Sequence, residues 1–238
     1  MIYNDTKNPI ICAVDTTDVG GAFKLVEKIG PHVGAIKLGL EYFVANGASG
    51  VHALAPLHIP VFLDLKFHDI PNTVAKAIEA TAGINTFMMT VHTAGGRAML
   101  RRAIDASMHI AETTGKERPI ILGVTVLTSL DQEDLSMIGV RDRLDDQVKR
   151  LADLAQSSGL DGVVCSSYEI KLIRETCGDD FTLVVPGIRP EGTTEDDQKR
   201  VMTPKEAIEL GADYLVIGRP ITQAPDPKAA AKMIQMIL

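Results

Sequence analysis

A (β/α)8 barrel is the fold class that the sequence predicts, and three features of the 238 residues lead to it. Eight short apolar runs, rich in β-branched residues, recur along the chain with amphipathic segments between them. Nearly continuous apolar character is typical of parallel strands that are buried on both faces. Polar residues cluster where the runs end, and eight strand–helix units suit the length of this barrel. A doubly wound open sheet is the alternative that the same alternation allows.

The eight strands are predicted in chain order from these runs. They cover residues 10–15, 34–39, 61–66, 86–92, 120–127, 162–166, 182–187 and 214–219. Between them, a periodicity near 3.6 residues predicts helices. The clearest of these cover residues 21–29, 73–82, 97–113, 146–157 and 204–209. Thr203, Pro204 and Glu206 form a typical helix start, with a capping hydroxyl, a proline in the first turn and a glutamate three residues after the cap.

No linker or change of composition divides the chain, so we expect one domain over residues 1–238. Residues 189–202 are polar and long for a loop between a strand and a helix, which is typical of a functional lid or a mobile loop. Residues 4–8 and 131–143 are predicted to form surface turns or a short helix.

The formal net charge of −7 argues against a nucleic-acid partner or a membrane surface, because a phosphate polyanion would be repelled overall. A small anionic ligand needs only a local cluster of Lys and Arg. The chain begins without an apolar signal-peptide core, and no apolar run reaches membrane-spanning length, so we expect a cytoplasmic protein. Cys12, Cys165 and Cys177 lack metal-ligand spacing, and Cys12 and Cys165 are predicted to be buried.

Charged and polar side chains stand at or just beyond the carboxyl ends of the predicted strands. They are Asp15, Lys37, Asp64, Lys66, His92, Thr128, Arg189 and Arg219. In a (β/α)8 barrel these ends meet on one rim, where the active sites of this fold are built. One charged residue at a strand end is commonly a solvated terminus, but so many at the same rim predict a functional site.

Asp64, Lys66 and Asp69 form the strongest local pattern. Asp64 and Lys66 are two residues apart on a strand, so we expect their side chains on the same face, toward the barrel mouth. Asp69 follows in the turn, from which it can reach sideways. A Lys between two carboxylates stays protonated and can donate a proton to a basic centre. A structural ion-pair network at the rim is the alternative.

A phosphate site is predicted after the seventh and eighth strands. Residues 185–190 and 216–220 each end a strand with glycine, arginine and proline, and the loops at these positions bind phosphate in many barrels of this class. Gly218 permits a close backbone approach, and Arg219 offers a planar charged fork to phosphate oxygens. Alternatively, the glycines only turn the chain and the arginines lie on the surface.

Residues 62–74 resemble the signature of the orotidine 5'-phosphate decarboxylase family in its bacterial form. The Asp-x-Lys-x-x-Asp core alone is shared with sugar-phosphate enzymes such as 3-keto-gulonate 6-phosphate decarboxylase and hexulose-phosphate synthase. The continuation Ile-Pro-Asn-Thr at residues 70–73, together with Arg189, Gln198 and Arg219, favours the orotidylate enzyme. Such an enzyme converts orotidine 5'-monophosphate to UMP and CO2, the final step of de novo pyrimidine nucleotide synthesis, without metal or organic cofactor.

The resemblance, which extends over residues 11–219, also implies a role for each matching residue. Lys66 is implied as the general acid that protonates C6 of the pyrimidine, with Asp64 beside the departing carboxylate. Asp69 and Thr73 are implied to enter the active site of the neighbouring subunit in a homodimer. The implied substrate-binding residues are Asp15 and Lys37 at the ribose, Thr128 at the pyrimidine, Gln198 between base and phosphate, and Arg189, Gly218 and Arg219 at the phosphate. Lys37 is also implied to join the charged network. His92 is given a packing or supporting role.

Two rival functions remain open. A Mg-dependent sugar-phosphate decarboxylase or aldolase would use the same core, and a non-catalytic barrel would only bind a phosphorylated metabolite. The six histidines are scattered and form no ligand motif with carboxylates, so no metal site is predicted. An enzyme is favoured because every catalytic position that the resemblance requires is filled.

Overall fold

In a computed structural model, residues 8–84, 86–190 and 202–238 of the chain are described. Eight parallel strands form a closed barrel, in which each strand pairs with the next and the eighth pairs with the first. The strands are β1 (Ile10–Ala13), β2 (Ala35–Leu38), β3 (Val61–Phe67), β4 (Thr86–His92), β5 (Ile120–Val124), β6 (Gly162–Val164), β7 (Thr182–Pro186) and β8 (Tyr214–Ile217). The predicted (β/α)8 fold is confirmed, and the open sheet is excluded.

Helices alternate with these strands. They are α1 (Val19–Ile29), α2 (Leu40–Leu54), α3 (Pro71–Glu79), α4 (Gly96–Thr114), α5 (Gln132–Met137), α6 (Leu144–Ser157), α7 (Ile170–Cys177), α8 (Pro204–Glu209), α9 (Arg219–Thr222) and α10 (Pro227–Met236). The predicted start of α8 is confirmed, because the Thr203 hydroxyl accepts from the Glu206 amide while the Glu206 carboxylate accepts from the Thr203 amide. Within the described ranges, no helix is both long and apolar enough to cross a membrane.

Two hydrophobic layers follow from the alternation of side chains along the strands. Ile10 and Cys12 point outward into the large core between the barrel and its helices, whereas Ile11 lies in a second cluster inside the barrel. Phe62 and Val216 belong to the inner cluster and close the barrel below its rim. The burial predicted for Cys12 is confirmed, and this burial raises the pKa of its thiol to about 12. Cys165 is buried as well.

The fifth apolar run is longer than the strand that it forms. The sequence predicts a strand over residues 120–127, but β5 ends at Val124. Val126 and Leu127 continue the apolar character because they line the cavity at the barrel mouth. An apolar run at a strand end therefore marks the wall of a site here, and not additional strand.

Candidate active site

A cavity of about 220 Å³ lies at the carboxyl ends of the barrel strands. Phe62 and Val216 of the inner cluster border it from below, and Lys37, Asp64 and Lys66 bring charge to it. Its further lining residues are Val124, Val126, Leu127, Thr128, Val164, Cys165 and Pro186. Apolar walls with a few converging polar groups are typical of a site for a small molecule.

Four charged side chains form a continuous network at this cavity. The Lys66 Nζ atom donates to both carboxylate oxygens of Asp64, at 2.9 and 2.8 Å. The Lys37 Nζ atom lies 3.5 Å from Asp64 Oδ2 and 3.6 Å from Asp15 Oδ1. Asp64 therefore lies between two ammonium groups, and Lys37 lies between two carboxylates. Of the four predicted residues in this network, Asp15 is the one farthest out into solvent, with half of its side chain exposed.

Asp64 is buried, with 7% of its surface exposed, yet it is charged. Burial by itself raises the pKa of this carboxyl group, but the Lys37 and Lys66 ammonium groups and the hydrogen bonds from Lys66 and Thr90 outweigh it. The net result is a pKa below the ordinary value. Asp64 thus keeps its negative charge at neutral pH.

Lys66 reaches Asp64 through a distorted segment of β3. The β3–β4 register is interrupted between the pairs Leu63–Met89 and Phe67–Val91, so that three residues of β3 face Thr90 alone. Lys66 has a φ of +51°, a left-handed conformation that costs a residue other than glycine about 1–3 kcal/mol. Regular alternation along a strand predicts Asp64 and Lys66 on one face. The side chains of Asp64 and Lys66 do contact each other, but the contact is made across a bulge in β3.

Thr90 and Gly39 belong to this site, and sequence reasoning did not find them. The fully buried Thr90 hydroxyl accepts from the Lys66 amide at 2.9 Å and donates to Asp64 Oδ1 at 2.9 Å. A Cβ atom on Gly39 would lie 3.1 Å from Lys37 Nζ, so glycine leaves room for that ammonium group. A threonine inside an apolar strand looks like a packing residue, and Gly39 was predicted as the last residue of the second strand, which in the structure ends at Leu38.

Asp69 and Thr73 lie away from the cavity lining. Both residues are exposed, and the Asp69 Oδ1 atom accepts a 2.6 Å hydrogen bond from the Ile70 amide. Thr73 is in the first turn of α3, and Ile70 between the two is 67% exposed. Lys66 therefore contacts Asp64 and not the second carboxylate of the motif within one chain.

The residues predicted to bind the phosphate follow two paired strands, β7 and β8. Gly218 caps α9, and Arg219 is the first residue of that helix and half-buried. Arg189 is buried, and its amide donates to the Met202 carbonyl at 3.1 Å. A Cβ atom on Gly218 would make only an ordinary contact with Ala13, so packing within the chain does not require glycine there. Gln198 lies outside the described residues.

His92 ends β4 beside the network, and its ring centroid lies 5.4 Å from that of His68. Half-burial lowers the pKa of His92, and the neighbouring His68 and Lys66 lower it further. His92 is therefore neutral at physiological pH. In the parts of the chain that the structure describes, no three His, Cys, Asp or Glu side chains are placed to hold a metal ion.

A closed barrel whose mouth carries a Lys–Asp network above apolar walls defines a class: a (β/α)8 enzyme with its site at the rim of the barrel. The model of the orotidine 5'-phosphate decarboxylase / HUMPS family matches residues 8–234, and the chain belongs to this family. The resemblance found at residues 62–74 is thereby confirmed.

Similar proteins cover nearly the whole chain. Over 228 residues it is 50% identical to the orotidine 5'-phosphate decarboxylase of Paramagnetospirillum magneticum, covering 96% of this chain and 97% of that one. The Moorella thermoacetica protein of the same name is 50% identical over 235 residues, covering 98% and 93%. The crystal structure of orotidine 5'-phosphate decarboxylase from Lactobacillus acidophilus superposes with a TM-score of 0.86 at 39% identity, covering 96% and 98%.

Proposed function

We propose that this protein decarboxylates orotidine 5'-monophosphate (orotidylate) to UMP and CO2, as the final step of pyrimidine nucleotide synthesis, and that it needs no metal or organic cofactor. The observation that carries the proposal is the Lys66 ammonium group, which both oxygens of Asp64 hold at the wall of the cavity. Relatives at about half identity carry the name of this enzyme. We further propose that the chain is one cytoplasmic domain over residues 1–238.

The chemical step needs a positive charge at the carbon that loses CO2. When the bond between C6 and the carboxylate breaks, its electron pair stays on C6. A fixed ammonium group beside C6 stabilises this charge, because it is already oriented before the reaction and lies against apolar walls. Lys66 then transfers one proton from Nζ to C6, which gives UMP, and the neutral amine regains a proton from solvent.

Asp64 and Lys37 support Lys66 in this proposal. Asp64 fixes the position of the ammonium group, and its own charge is maintained by Lys37 on the other side. Lys37 and Asp15, which lie 3.6 Å apart, are proposed to bind the ribose hydroxyls. Thr128 borders the same cavity and is proposed to contact the pyrimidine.

The phosphate is proposed to bind at Arg189, Gly218 and Arg219, with Gln198 between phosphate and base. Gln198 is proposed from the family pattern alone. Binding energy from the phosphate, which is remote from C6, can lower the barrier at C6 if it is used to fix the substrate against Lys66. The phosphate end would then contribute to kcat as well as to affinity.

We also propose a homodimer in which Asp69 and Thr73 complete the site of the neighbouring subunit. Two observations support this: both side chains are exposed within one chain, and neither borders the cavity of its own barrel. The exposed Ile70 between them offers apolar area for such an interface.

The Asp-x-Lys-x-x-Asp core is shared with sugar-phosphate enzymes, so the decisive experiment compares substrates. The protein, dialysed against EDTA, is given orotidylate, 3-keto-gulonate 6-phosphate or hexulose 6-phosphate at equal concentration. We expect UMP and CO2 from orotidylate and no turnover of either sugar phosphate. Turnover of a sugar phosphate that appears only after Mg²⁺ is added would favour a metal-dependent sugar-phosphate enzyme. Tight UMP binding without turnover of any substrate would favour a non-catalytic barrel that binds a phosphorylated metabolite.

A further inference from the structure

We propose that Thr90 is a positioning residue, which holds the backbone of Lys66 and the carboxylate of Asp64 in one hydrogen-bonded ring. The inference rests on the proposed function for its kinetic consequences. Thr90 is a residue of β4 that lies behind the charged network and does not border the cavity.

Three hydrogen bonds and the side chain of Lys66 itself close a ring that involves three residues. The Lys66 amide donates to Thr90 Oγ1, and the Thr90 hydroxyl donates to Asp64 Oδ1, each at 2.9 Å. The Lys66 ammonium group donates to the same Asp64 oxygen at 2.9 Å. A threonine hydroxyl has one proton and can both donate and accept, which is what this position requires. Thr90 therefore couples the two ends of Lys66, its amide and its ammonium group.

The backbone of Lys66 explains why such a coupling is needed. Its left-handed conformation is unfavourable for a side chain with a Cβ atom, and it occurs where the β3–β4 ladder is interrupted. In a regular ladder, the Lys66 amide would donate to a carbonyl of the neighbouring strand. Here the Thr90 hydroxyl takes that donor instead. Without it, the amide would be left to find another acceptor, and the bulge that directs Lys66 toward Asp64 would lose its anchor.

Thr93 provides a matched comparison three residues further along. Like Thr90 it is fully buried, but its hydroxyl has no hydrogen-bond partner in the part of the chain described. Replacement of Thr93 by valine keeps the shape and removes no bond, so it controls for the loss of a buried hydroxyl as such.

The first test measures kcat and KM for orotidylate in Thr90→Val, Thr90→Ser and Thr93→Val. For Thr90→Val we expect kcat to fall about 10- to 100-fold, as when a hydrogen bond to a charged group is lost, with KM within about threefold of wild type. Thr90→Ser keeps the hydroxyl and should recover most of kcat, and Thr93→Val should behave as wild type. A Thr90→Val kcat within about twofold of wild type would overturn the proposal, as would a serine variant no better than valine.

A second measurement needs no turnover. Hydrogen exchange of the Lys66 amide, followed by NMR in protein labelled with ¹⁵N-lysine, reports directly on the bond to Thr90. We expect exchange at Lys66 to accelerate at least about 10-fold in Thr90→Val, and not in Thr90→Ser or Thr93→Val. If wild type fails to decarboxylate orotidylate, the proposed function fails, yet this exchange still decides whether Thr90 holds Lys66. Unchanged hydrogen exchange of the Lys66 amide in Thr90→Val would rule out the positioning role itself.

Discussion

The ammonium group of Lys66 lies within 2.9 Å of both carboxylate oxygens of Asp64. Two hydrogen bonds to one carboxylate restrict a lysine that would otherwise sample many rotamers, so the positive charge has a fixed location at the cavity wall. Lys37 approaches the same carboxylate from another strand, at 3.5 Å. Lys66 and Asp64 are therefore part of a network in which the removal of one charge changes the electrostatic environment of the other charged groups.

Substitution Lys66→Ala should abolish catalysis without preventing ligand binding. The proton donor and the fixed charge are lost together, and we expect kcat to fall at least about 1000-fold. UMP binding should remain measurable by calorimetry, since the groups proposed for ribose and phosphate stay in place. Lys76→Ala is the control, because Lys76 is an exposed lysine paired with Glu79 on α3. A Lys66→Ala enzyme with near wild-type kcat would refute the role of Lys66.

The pH dependence of stability should reveal the charge on Asp64. Its pKa is lowered in the folded protein, so the ionised carboxylate contributes stability above about pH 4, and that contribution is lost as pH falls through the folded-state pKa. Asp64→Asn should be about 1–3 kcal/mol less stable than wild type at pH 7 in urea unfolding at fixed protein concentration. The difference in the free energy of unfolding between Asp64→Asn and wild type should narrow between pH 4 and pH 3.

The control for this pH series is Asp105→Asn, which breaks an exposed pair with Arg102. Exposed ion pairs contribute little, so this variant should stay close to wild type throughout. A gap between Asp64→Asn and wild type that stayed the same from pH 7 to pH 3 would contradict a charged Asp64 stabilised by its two lysines.

Arg219→Ala should weaken recognition of the phosphate specifically. We expect kcat/KM for orotidylate to fall about 10- to 100-fold, the range for loss of a charge-assisted hydrogen bond. The informative comparison is orotidine, which lacks the phosphate. On that nucleoside the variant and wild type should react at the same low rate. Equal losses on both substrates would show that Arg219 supports the fold or the chemical step and does not recognise the phosphate.

Mixing two inactive variants should restore activity if the site is shared between subunits. Lys66→Ala and Asp69→Ala each inactivate the sites to which they contribute. A hybrid dimer, however, contains one site in which both residues are intact. We expect up to about a quarter of wild-type activity after random reassortment, since half of the dimers are hybrids with one good site each. No recovery, with hybrids verified by native mass spectrometry, would rule out the shared site.

The sequence predicted the barrel and the network for physical reasons that act locally. Eight apolar runs specify buried parallel strands, and the closure of the barrel then brings Lys37 next to Asp64, although 27 positions separate them in the chain. Charged residues at strand ends are easily recognised because nothing in a barrel core accounts for them. Asp15, Lys37, Asp64 and Lys66 were found in this way.

The contacts that depend on a local irregularity could not be predicted. Thr90 is β-branched and lies in an apolar strand, so its hydroxyl gives no signal until the bulge in β3 places the Lys66 amide opposite it. The bulge itself contains no glycine that would indicate it in the sequence, because the residue in the left-handed conformation is Lys66. Similarly, the exposed position of Asp69 depends on the turn after β3, and periodicity carries no information about a turn.

The most direct test of the central claim is the rate of UMP formation from orotidylate by the wild-type protein after exhaustive dialysis against EDTA. If the fixed ammonium group of Lys66 supplies the catalysis, kcat should be the same before dialysis, after dialysis and after re-addition of Mg²⁺ or Zn²⁺. A kcat that falls at least about tenfold on dialysis and returns with a metal ion would contradict the proposed mechanism.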